Sequence, residues 1–382
     1  MITTRASEIP PFIVMDVLEA AQELERAGED VIHLEVGEPD FDTPECIKEA
    51  CRRALRDGKT HYTHSLGLLE LREAICSHYH ARYGVSVSPD QVLVTSGTSP
   101  AMMVLFASLL EKGSEVIISD PHYACYPNFI RFFEGSPVCV PVEECDGFQY
   151  TPAAIREKIT PRTRAVLINS PSNPTGNLLS KDRMAQIASL GVPVISDEIY
   201  HGLVYEDEEH TILEFTDNAF VLNGFSKSYA MTGWRLGYLI APRPYIRPMQ
   251  KIQQNLFISP NSFVQWAGVT ALREAWPDVL RMRAIYDERR KFMIARLREM
   301  GLGICVEPTG AFYVLGNIRA YSRDSYQTAF DILKRAHVGV APGVDFGRNA
   351  EGYLRFSYAN SLDNIREGML RMEQYLAECR GS

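Results

Sequence analysis

Short apolar runs alternate with amphipathic segments along most of the chain. The runs, rich in Val and Ile, lie at residues 92–95, 115–119, 165–169, 192–196, 220–224 and 237–240. Between several of them, apolar positions recur at helical spacing in residues 101–112, 126–133 and 181–190. Short buried strands separated by helices are typical of a mainly parallel α/β sheet. The pattern therefore predicts an α/β fold for much of the chain.

The rhythm changes after about residue 283. A long amphipathic helix is predicted at 283–300, followed by short strands at 304–306, 312–316 and 353–357 and by helices at 325–336 and 362–380. This order of elements favours a second, smaller α+β domain. We expect a large α/β domain over residues 45–285, and a small domain that combines residues 286–382 with an N-terminal arm, residues 1–44.

Composition and charge narrow the classes of partner. The chain has 382 residues and a formal net charge of -9, whereas nucleic acids and acidic membrane surfaces attract basic faces. We therefore expect no nucleic acid and no membrane among its partners. Its longest apolar run, residues 101–110, is about half a membrane span, and the N-terminus carries no pattern of a secretory signal.

The eight cysteines show neither a C-x-x-C motif nor zinc-ligand spacing. In a chain of this size they are typical of reduced thiols in a cytosol. The sequence therefore predicts a cytoplasmic protein without a bound metal.

Polar residues cluster directly after the predicted strands of the large domain. They fall in the segments 96–99, 120–123, 169–176, 196–200 and 226–228. In open parallel sheets, ligands bind beyond the carboxyl ends of the strands. We therefore expect these segments to form one site.

The first of these segments, Gly97-Thr98-Ser99, opens a predicted helix. Free backbone amides and hydroxyl groups at a helix N-terminus suit a phosphate group, although the same residues could be an ordinary helix cap. The chain contains neither G-x-x-x-x-G-K-[ST] nor G-x-G-x-x-G, so the sequence does not support a binding site for a nucleoside triphosphate or a dinucleotide.

Among the polar segments that follow the strands, Asp197 and Lys227 indicate which ligand the site could bind. A carboxylate at the end of a buried strand needs a cationic partner, such as a protonated ring nitrogen, unless Asp197 merely caps a helix. Tyr200 and Asn173 could donate to an adjacent phenolate oxygen. Lys227, which could otherwise be a solvated loop charge, is placed to form a Schiff base with an aldehyde cofactor. Pyridoxal 5'-phosphate combines all of these requirements.

Eight sequence stretches, spread over nearly the whole chain, match the motifs of one protein family. They are LEVGEPDFDTPE (34–45), HYTHSLGLLELREAI (61–75), VTSGTSPAM (94–102), INSPSNPTG (168–176), ISDEIY (195–200), FSKSYAMTGWRLGY (225–238), APGVDFG (341–347) and LRFSYA (354–359). In this order and spacing, the chain resembles the class I aminotransferases of the fold-type-I pyridoxal-phosphate family, which includes aspartate aminotransferase. The resemblance implies a seven-stranded, mainly parallel sheet flanked by helices and a smaller α+β domain.

The resemblance also implies a role for individual residues. Lys227 would form the Schiff base and move the proton, and Asp197 would pair with the pyridine nitrogen. Around the ring, Tyr200 and Asn173 would bond the phenolic oxygen, and Tyr123 would stack on the ring. The residues implied to hold the phosphate are Gly97, Thr98, Ser99, Ser226 and Arg235, with Tyr62 reaching it from the partner subunit.

On the substrate side, the resemblance implies that Arg355 clamps the α-carboxylate, assisted by Gly37 and Asn173. A tyrosine shared across subunits, Tyr62, implies a homodimer with shared active sites. The implied activity is the ping-pong transfer of an amino group between an L-α-amino acid and a 2-oxo acid.

Two alternatives remain open at this point. One is a different reaction on the same scaffold, such as a C–S lyase, a decarboxylase or an acyl transfer. The other is a regulator that binds pyridoxal phosphate without catalysis, which would need a basic segment ahead of the motifs that begin near residue 34. The apolar stretch at residues 10–14 favours neutral or aromatic amino donors, with glutamate or 2-oxoglutarate as the shared partner.

Overall fold

The computed structural model of the chain describes residues 2–380. Its strands are β1 (Ile32–His33), β2 (Val92–Thr95), β3 (Glu115–Asp120), β4 (Ser136–Pro141), β5 (Thr163–Asn169), β6 (Val194–Asp197), β7 (Ala219–Gly224), β8 (Gly237–Ile240), β9 (Tyr313–Asn317), β10 (Val338–Gly339), β11 (Ala341–Pro342) and β12 (Tyr353–Ser357). Its α-helices are α1 (Thr4–Glu8), α2 (Ile13–Arg26), α3 (Glu45–Arg56), α4 (Leu69–Tyr83), α5 (Thr98–Leu109), α6 (Tyr126–Phe132), α7 (Pro152–Lys158), α8 (Lys181–Ala188), α9 (Arg243–Leu256), α10 (Ser262–Glu274), α11 (Trp276–Glu299), α12 (Ser325–Ala336) and α13 (Leu362–Arg380).

A sheet of seven strands, counted over the described residues, forms the centre of the molecule in the order β2-β8-β7-β6-β5-β3-β4. Its strands run parallel except for β8, which is antiparallel to both of its neighbours. Both faces of the sheet are covered: in β7, Val221 enters one apolar core, whereas Phe220 and Leu222 enter another on the opposite face. Such double coverage explains why the central strands are continuous apolar runs. The predicted α/β class is confirmed.

The register of the sheet brings the strand ends together. Asn169, the last residue of β5, is paired with Asp197, and Asp197 is paired in turn with Leu222 of β7. Adjacent strands lie about 4.8 Å apart. The loops that follow β5, β6 and β7 therefore begin side by side at one edge of the sheet, as the polar segments predicted.

The C-terminal part contains a three-stranded antiparallel sheet in the order β11-β12-β9. The N-terminal strand β1 pairs in parallel with β10, with Ile32 opposite Val338 and His33 opposite Gly339. We propose two domains: residues 45–285 form one, and residues 1–44 together with 286–382 form the other. The pairing of β1 with β10 supports this division, because it joins the N-terminal and C-terminal segments. Helix α11 runs across the proposed boundary near residue 285.

Most predicted elements have the expected type, and three strands, β2, β8 and β12, have the predicted bounds. The strand predicted at 304–306 is wrong, because side chains bind that backbone in place of a neighbouring strand. Arg298 donates to the Ile304 carbonyl at 3.0 Å, and the Cys305 amide donates to Glu144 at 3.1 Å. Only an isolated bridge between Gly303 and Asn317 forms there.

Between residues 2 and 380, no helix combines the length and the apolarity that crossing a bilayer requires.

Candidate active site

A cavity of about 320 Å³ lies at the edge of the central sheet where β5, β6 and β7 end. We call it the site cavity. Of the residues predicted from the sequence, those that line it are Gly37, Thr98, Ser99, Tyr123, Asn173, Asp197, Tyr200, Ser226, Lys227, Arg235 and Arg355. The fold thus gathers residues that are up to about 320 positions apart in the chain.

Asp197 is buried at the end of the central strand β6. The Tyr126 hydroxyl donates to its Oδ2 at 2.7 Å, and the Ile199 amide donates to Oδ1 at 3.3 Å. Burial raises the pKa of Asp197 to about 6, although these two donors oppose the rise. The carboxyl group is therefore held where a cationic partner would stabilise its ionised form.

The neighbouring acid, Glu198, points away from the cavity. It accepts hydrogen bonds from the hydroxyls of Ser196 at 3.0 Å, Thr211 at 2.9 Å and Tyr79 at 3.1 Å. Successive residues at a strand end face opposite sides of the sheet, so only Asp197 faces the cavity.

Lys227 follows β7 and reaches into the cavity. Its Nζ donates to the Gly37 carbonyl oxygen at 2.6 Å. Burial lowers the pKa of Lys227 to about 8; Glu38 opposes this change, and the positive charges of Arg355 and Arg235 add to it. The amine therefore gives up its proton more readily than an exposed lysine does.

The corner formed by Gly97 and Arg235 is polar and closely packed. Gly97 caps α5 with φ 104°, and a Cβ placed there would lie 2.8 Å from Nη2 of Arg235. Glycine thus allows the guanidinium to approach the first turn of α5, which carries Thr98 and Ser99. The Arg235 Nη1 donates to the Thr232 carbonyl at 2.9 Å, which orients the group. A cation next to the free amides of a helix N-terminus suits an anionic group.

Arg355 lies in the middle of β12 and is only 2% exposed. Its Nη1 donates to Asn173 Oδ1 at 2.9 Å, and its Nη2 donates to the Glu35 carbonyl oxygen. Its Nε has no partner among the described residues. The guanidinium plane lies 4.4 Å from the Tyr313 ring and 4.7 Å from the Phe346 ring. These contacts fix the fork and use two of its five N–H groups, so that Nε is the guanidinium nitrogen left, among the described residues, without a partner and available to a carboxylate.

Two aromatic residues of the cavity were not predicted. Tyr126 bonds Asp197, and it is the first residue of α6, three positions after the predicted Tyr123 in the loop that follows β3, which was a usable signal. Tyr313 lies in none of the eight sequence stretches quoted above, so no motif pointed to it. Its hydroxyl is 2.9 Å from that of Tyr200, and a Cβ on Gly37 would lie 2.0 Å from the same oxygen. Gly37 is thus required for the close approach of Tyr313.

Tyr62 lies outside the site cavity of its own chain, and it is 82% exposed. Gly97 is not among the lining residues either, although it lies against Arg235, which lines the cavity. Within residues 2–380, no group of three or more His, Cys, Asp or Glu side chains could hold a metal ion.

Residues 29–370 match the family described as aminotransferase class I and II. Over 381 residues the chain is 41% identical to the (5-formylfuran-3-yl)methyl phosphate transaminase of Methanocaldococcus jannaschii, covering 98% of this chain and 100% of that protein. Over 363 residues it is 44% identical to an aspartate aminotransferase of Pyrococcus horikoshii, covering 92% of this chain and 93% of that protein.

The fold has equally clear relatives among solved structures. The aromatic aminotransferase of Pyrococcus horikoshii superposes with a TM-score of 0.88 at 40% identity, covering 94% of this chain and 99% of that one. A family match of this extent, together with relatives of this identity, confirms the predicted activity. The chain belongs to the class I and II aminotransferases, and it is a transaminase that depends on pyridoxal 5'-phosphate.

Proposed function

We propose that the transamination takes place in the site cavity, where Lys227 and Asp197 act on the cofactor and Arg355 acts on the substrate. The observation that carries this proposal is the convergence of these three side chains, from two sheets, on one cavity of about 320 Å³. The substrates are an L-α-amino acid and a 2-oxo acid, which use the site in turn.

The residues fit pyridoxal 5'-phosphate from one end to the other. Thr98, Ser99 and Ser226 would hold its phosphate with Arg235, beside the Gly97 turn that admits the guanidinium. Asp197 would face its ring nitrogen, and Tyr123 would cover its ring. Tyr200 and Asn173 would donate to its phenolic oxygen. When bound, the cofactor supplies an electron sink for the pair released at the substrate Cα and an aldehyde that exchanges the amino group.

Lys227 would anchor the cofactor through Nζ and then hold the proton that leaves the substrate Cα. An amine whose pKa is lowered to about 8 accepts and returns a proton near neutral pH more easily than one of ordinary basicity. The Gly37 carbonyl, 2.6 Å from Nζ, keeps the amine on the cavity side of the loop. Such general acid–base help contributes roughly 10²–10⁴-fold to the rate.

Arg355 would orient the substrate through its α-carboxylate. Nε is the buried donor without a partner, and the stacking on Tyr313 prevents the fork from rotating. The side-chain oxygen of Asn173 accepts the hydrogen bond from Arg355, and its backbone amide donates to Asn169 Oδ1 at 2.8 Å. The carboxylate clamp and the strand-end loop of the cofactor site are therefore positioned by the same residue.

We also propose a homodimer with shared active sites, in which Tyr62 serves the partner's phosphate. Its support is that Tyr62 is exposed although its loop is rigidly held: Gln265 bonds Thr63 at 3.0 Å, and Gln253 bonds the Ser65 carbonyl at 2.6 Å. The turn after α9, the helix that carries Gln253, exposes Ile258 as well. Apolar side chains on a fixed, exposed face are typical of an interface.

A cytoplasmic location is part of the proposal. The eight cysteines, all within the described residues, are free thiols, which is the usual state in a reducing compartment.

Lys227→Ala should abolish covalent attachment of the cofactor and lower turnover by more than about 10²-fold, because both anchor and base are lost. The measurement is borohydride reduction followed by peptide mass mapping, with Lys251→Ala, an exposed lysine on α9, as the control. A reduced adduct at any lysine other than 227 in the wild-type protein would contradict the assignment.

Asp197→Asn should change the pH dependence of stability in the cofactor-free protein. The pKa of Asp197 in the folded protein, about 6, lies above its ordinary value of 3.8. Ionisation of Asp197 therefore lowers the free energy of unfolding by up to about 3 kcal/mol. This loss is complete above pH 6 and absent below pH 3.8. Relative to wild type, the variant should therefore gain about 3 kcal/mol between pH 4 and pH 8 in denaturant titrations.

Asp217→Asn, which changes an exposed carboxylate, is the control for this comparison and should show no such gain. Adding the cofactor should remove the advantage of Asp197→Asn at pH 8, because the ring nitrogen would then stabilise the wild-type carboxylate. A pH-independent difference between Asp197→Asn and wild type would refute the role assigned to burial.

Arg355→Lys should keep the charge but lose the planar fork. One charge-assisted hydrogen bond is worth about 1.5–3 kcal/mol, so the affinity for amino donors should fall about 10–100-fold while the cofactor stays bound. The check is the concentration dependence of the half-reaction, with exposed Arg319→Lys as the control. Unchanged donor affinity would move the α-carboxylate to another residue.

Tyr62→Ala should weaken cofactor retention about 10–100-fold through the loss of one bond to a charged group, whereas Tyr326→Ala, another exposed tyrosine, should not. A heterodimer of Tyr62→Ala and Lys227→Ala subunits, purified with two tags, should regain one wild-type site. That recovery requires Tyr62 and Lys227 to come from different chains. A fully active monomer, or no recovery in the heterodimer, would exclude shared sites.

A further inference from the structure

We propose that the amino donor carries an uncharged, apolar side chain that packs against the N-terminal half of α2. The inference rests on the proposed function in one respect: Arg355 must hold the α-carboxylate. In this proposal, the side chain of the donor occupies the side of the site cavity that the start of α2 lines.

The wall of the cavity on that side is apolar. It consists of Phe12, Val14, Met15, Leu18 and Val36. Four of these lie at the start of α2 or directly before it, where spacings of three and four residues place side chains on one helix face. The Phe12 ring meets Tyr123 edge to face at 6.1 Å, so the apolar wall continues to the residue proposed to cover the cofactor ring.

Helix α2 is firmly attached in this position. The Asp345 carboxylate accepts hydrogen bonds from the amides of Ile13 at 3.2 Å and Val14 at 3.1 Å, and a negative charge at a helix N-terminus is favourable. Val14 also packs with Phe346, which stacks on Arg355. The wall is therefore a fixed part of the site, and it is connected to the residue that holds the α-carboxylate.

The charges in the cavity argue against a donor with a second carboxylate. Its cationic lining residues, among those described, are Lys227, Arg235 and Arg355, and each already has a proposed partner. The remaining charged residue near the mouth is Glu38, which is exposed and accepts a hydrogen bond from Thr232. A distal carboxylate would be desolvated against apolar side chains and would approach a like charge, and both effects weaken binding.

The first experiment compares donors in the half-reaction of the holoenzyme, followed through the cofactor spectrum after rapid mixing. L-Phenylalanine, L-leucine and L-methionine are each compared with L-aspartate. A matching apolar contact discriminates by about 10–200-fold, so at least one apolar donor should exceed aspartate about 10-fold in kcat/KM.

The second experiment changes the wall. Met15 is 44% exposed at the mouth and can accept a larger residue, so Met15→Arg should shift the ratio of aspartate to phenylalanine by about 10-fold or more toward aspartate. Gln22→Arg is the matched control. It adds the same charge to the same helix two turns away, about 10 Å along the axis and outside the cavity lining, and it should leave the ratio unchanged.

A third readout does not depend on turnover. Calorimetric titration of the holoenzyme should give tighter binding of 3-phenylpropanoate than of succinate, since these ligands share one carboxylate and differ in the group at the other end. Tighter binding of succinate together with a preference for aspartate would overturn the proposal, and would indicate a cation supplied by a partner subunit. If no donor reacts but 3-phenylpropanoate binds more tightly, the proposed function fails while the apolar preference stands.

Discussion

A carboxyl group buried at the end of the central strand is the feature on which the rest of the site depends. Asp197 is surrounded by apolar strands, and its partners within the described residues, the Tyr126 hydroxyl and the Ile199 amide, are neutral. Burial without a cation is unfavourable for the charged form, which explains its raised pKa. The fold accepts this cost at a strand end, where a ligand can supply the missing positive charge, and the cavity is arranged around that position.

The proposed catalytic constellation draws on both parts of the chain. Asp197 ends β6 and Lys227 follows β7 of the central sheet, whereas Arg355 comes from β12 in the C-terminal sheet. Arg355 connects the two parts, because it donates to Asn173 in the large part while the Glu35 carbonyl, in the N-terminal arm of its own part, accepts from its other terminal nitrogen. In the proposed function, the hydrogen bond between Arg355 and Asn173 therefore helps to set the distance between the group that would take the α-carboxylate and the groups that would hold the cofactor.

The sequence predicted the strand-end residues well, because in a parallel sheet the carboxyl ends share one edge whatever the details of packing. It could not predict Tyr313, whose place depends on a glycine, Gly37, some 280 positions earlier in the chain. Strand β4 was missed because its apolar run is short, Val138-Cys139-Val140 between two prolines, and because it lies at the edge of the sheet with half of its residues exposed. The strand expected at 304–306 failed because Arg298 and Glu144 occupy its backbone groups.

The residues proposed to carry out the reaction and those proposed to select the amino donor lie on different elements of the fold. Asp197 ends one strand and Lys227 follows another, and both strands are buried over their whole length, so changing the positions of these residues would require a rearrangement of the sheet. Helix α2 instead meets the cavity through a few apolar side chains and one carboxylate, that of Asp345. If the proposed function is right, substitutions on this helix can alter the surface that a donor side chain meets without moving the groups proposed to transfer the proton. In this arrangement, donor selection can therefore change at the N-terminal wall while the strand-end residues stay the same.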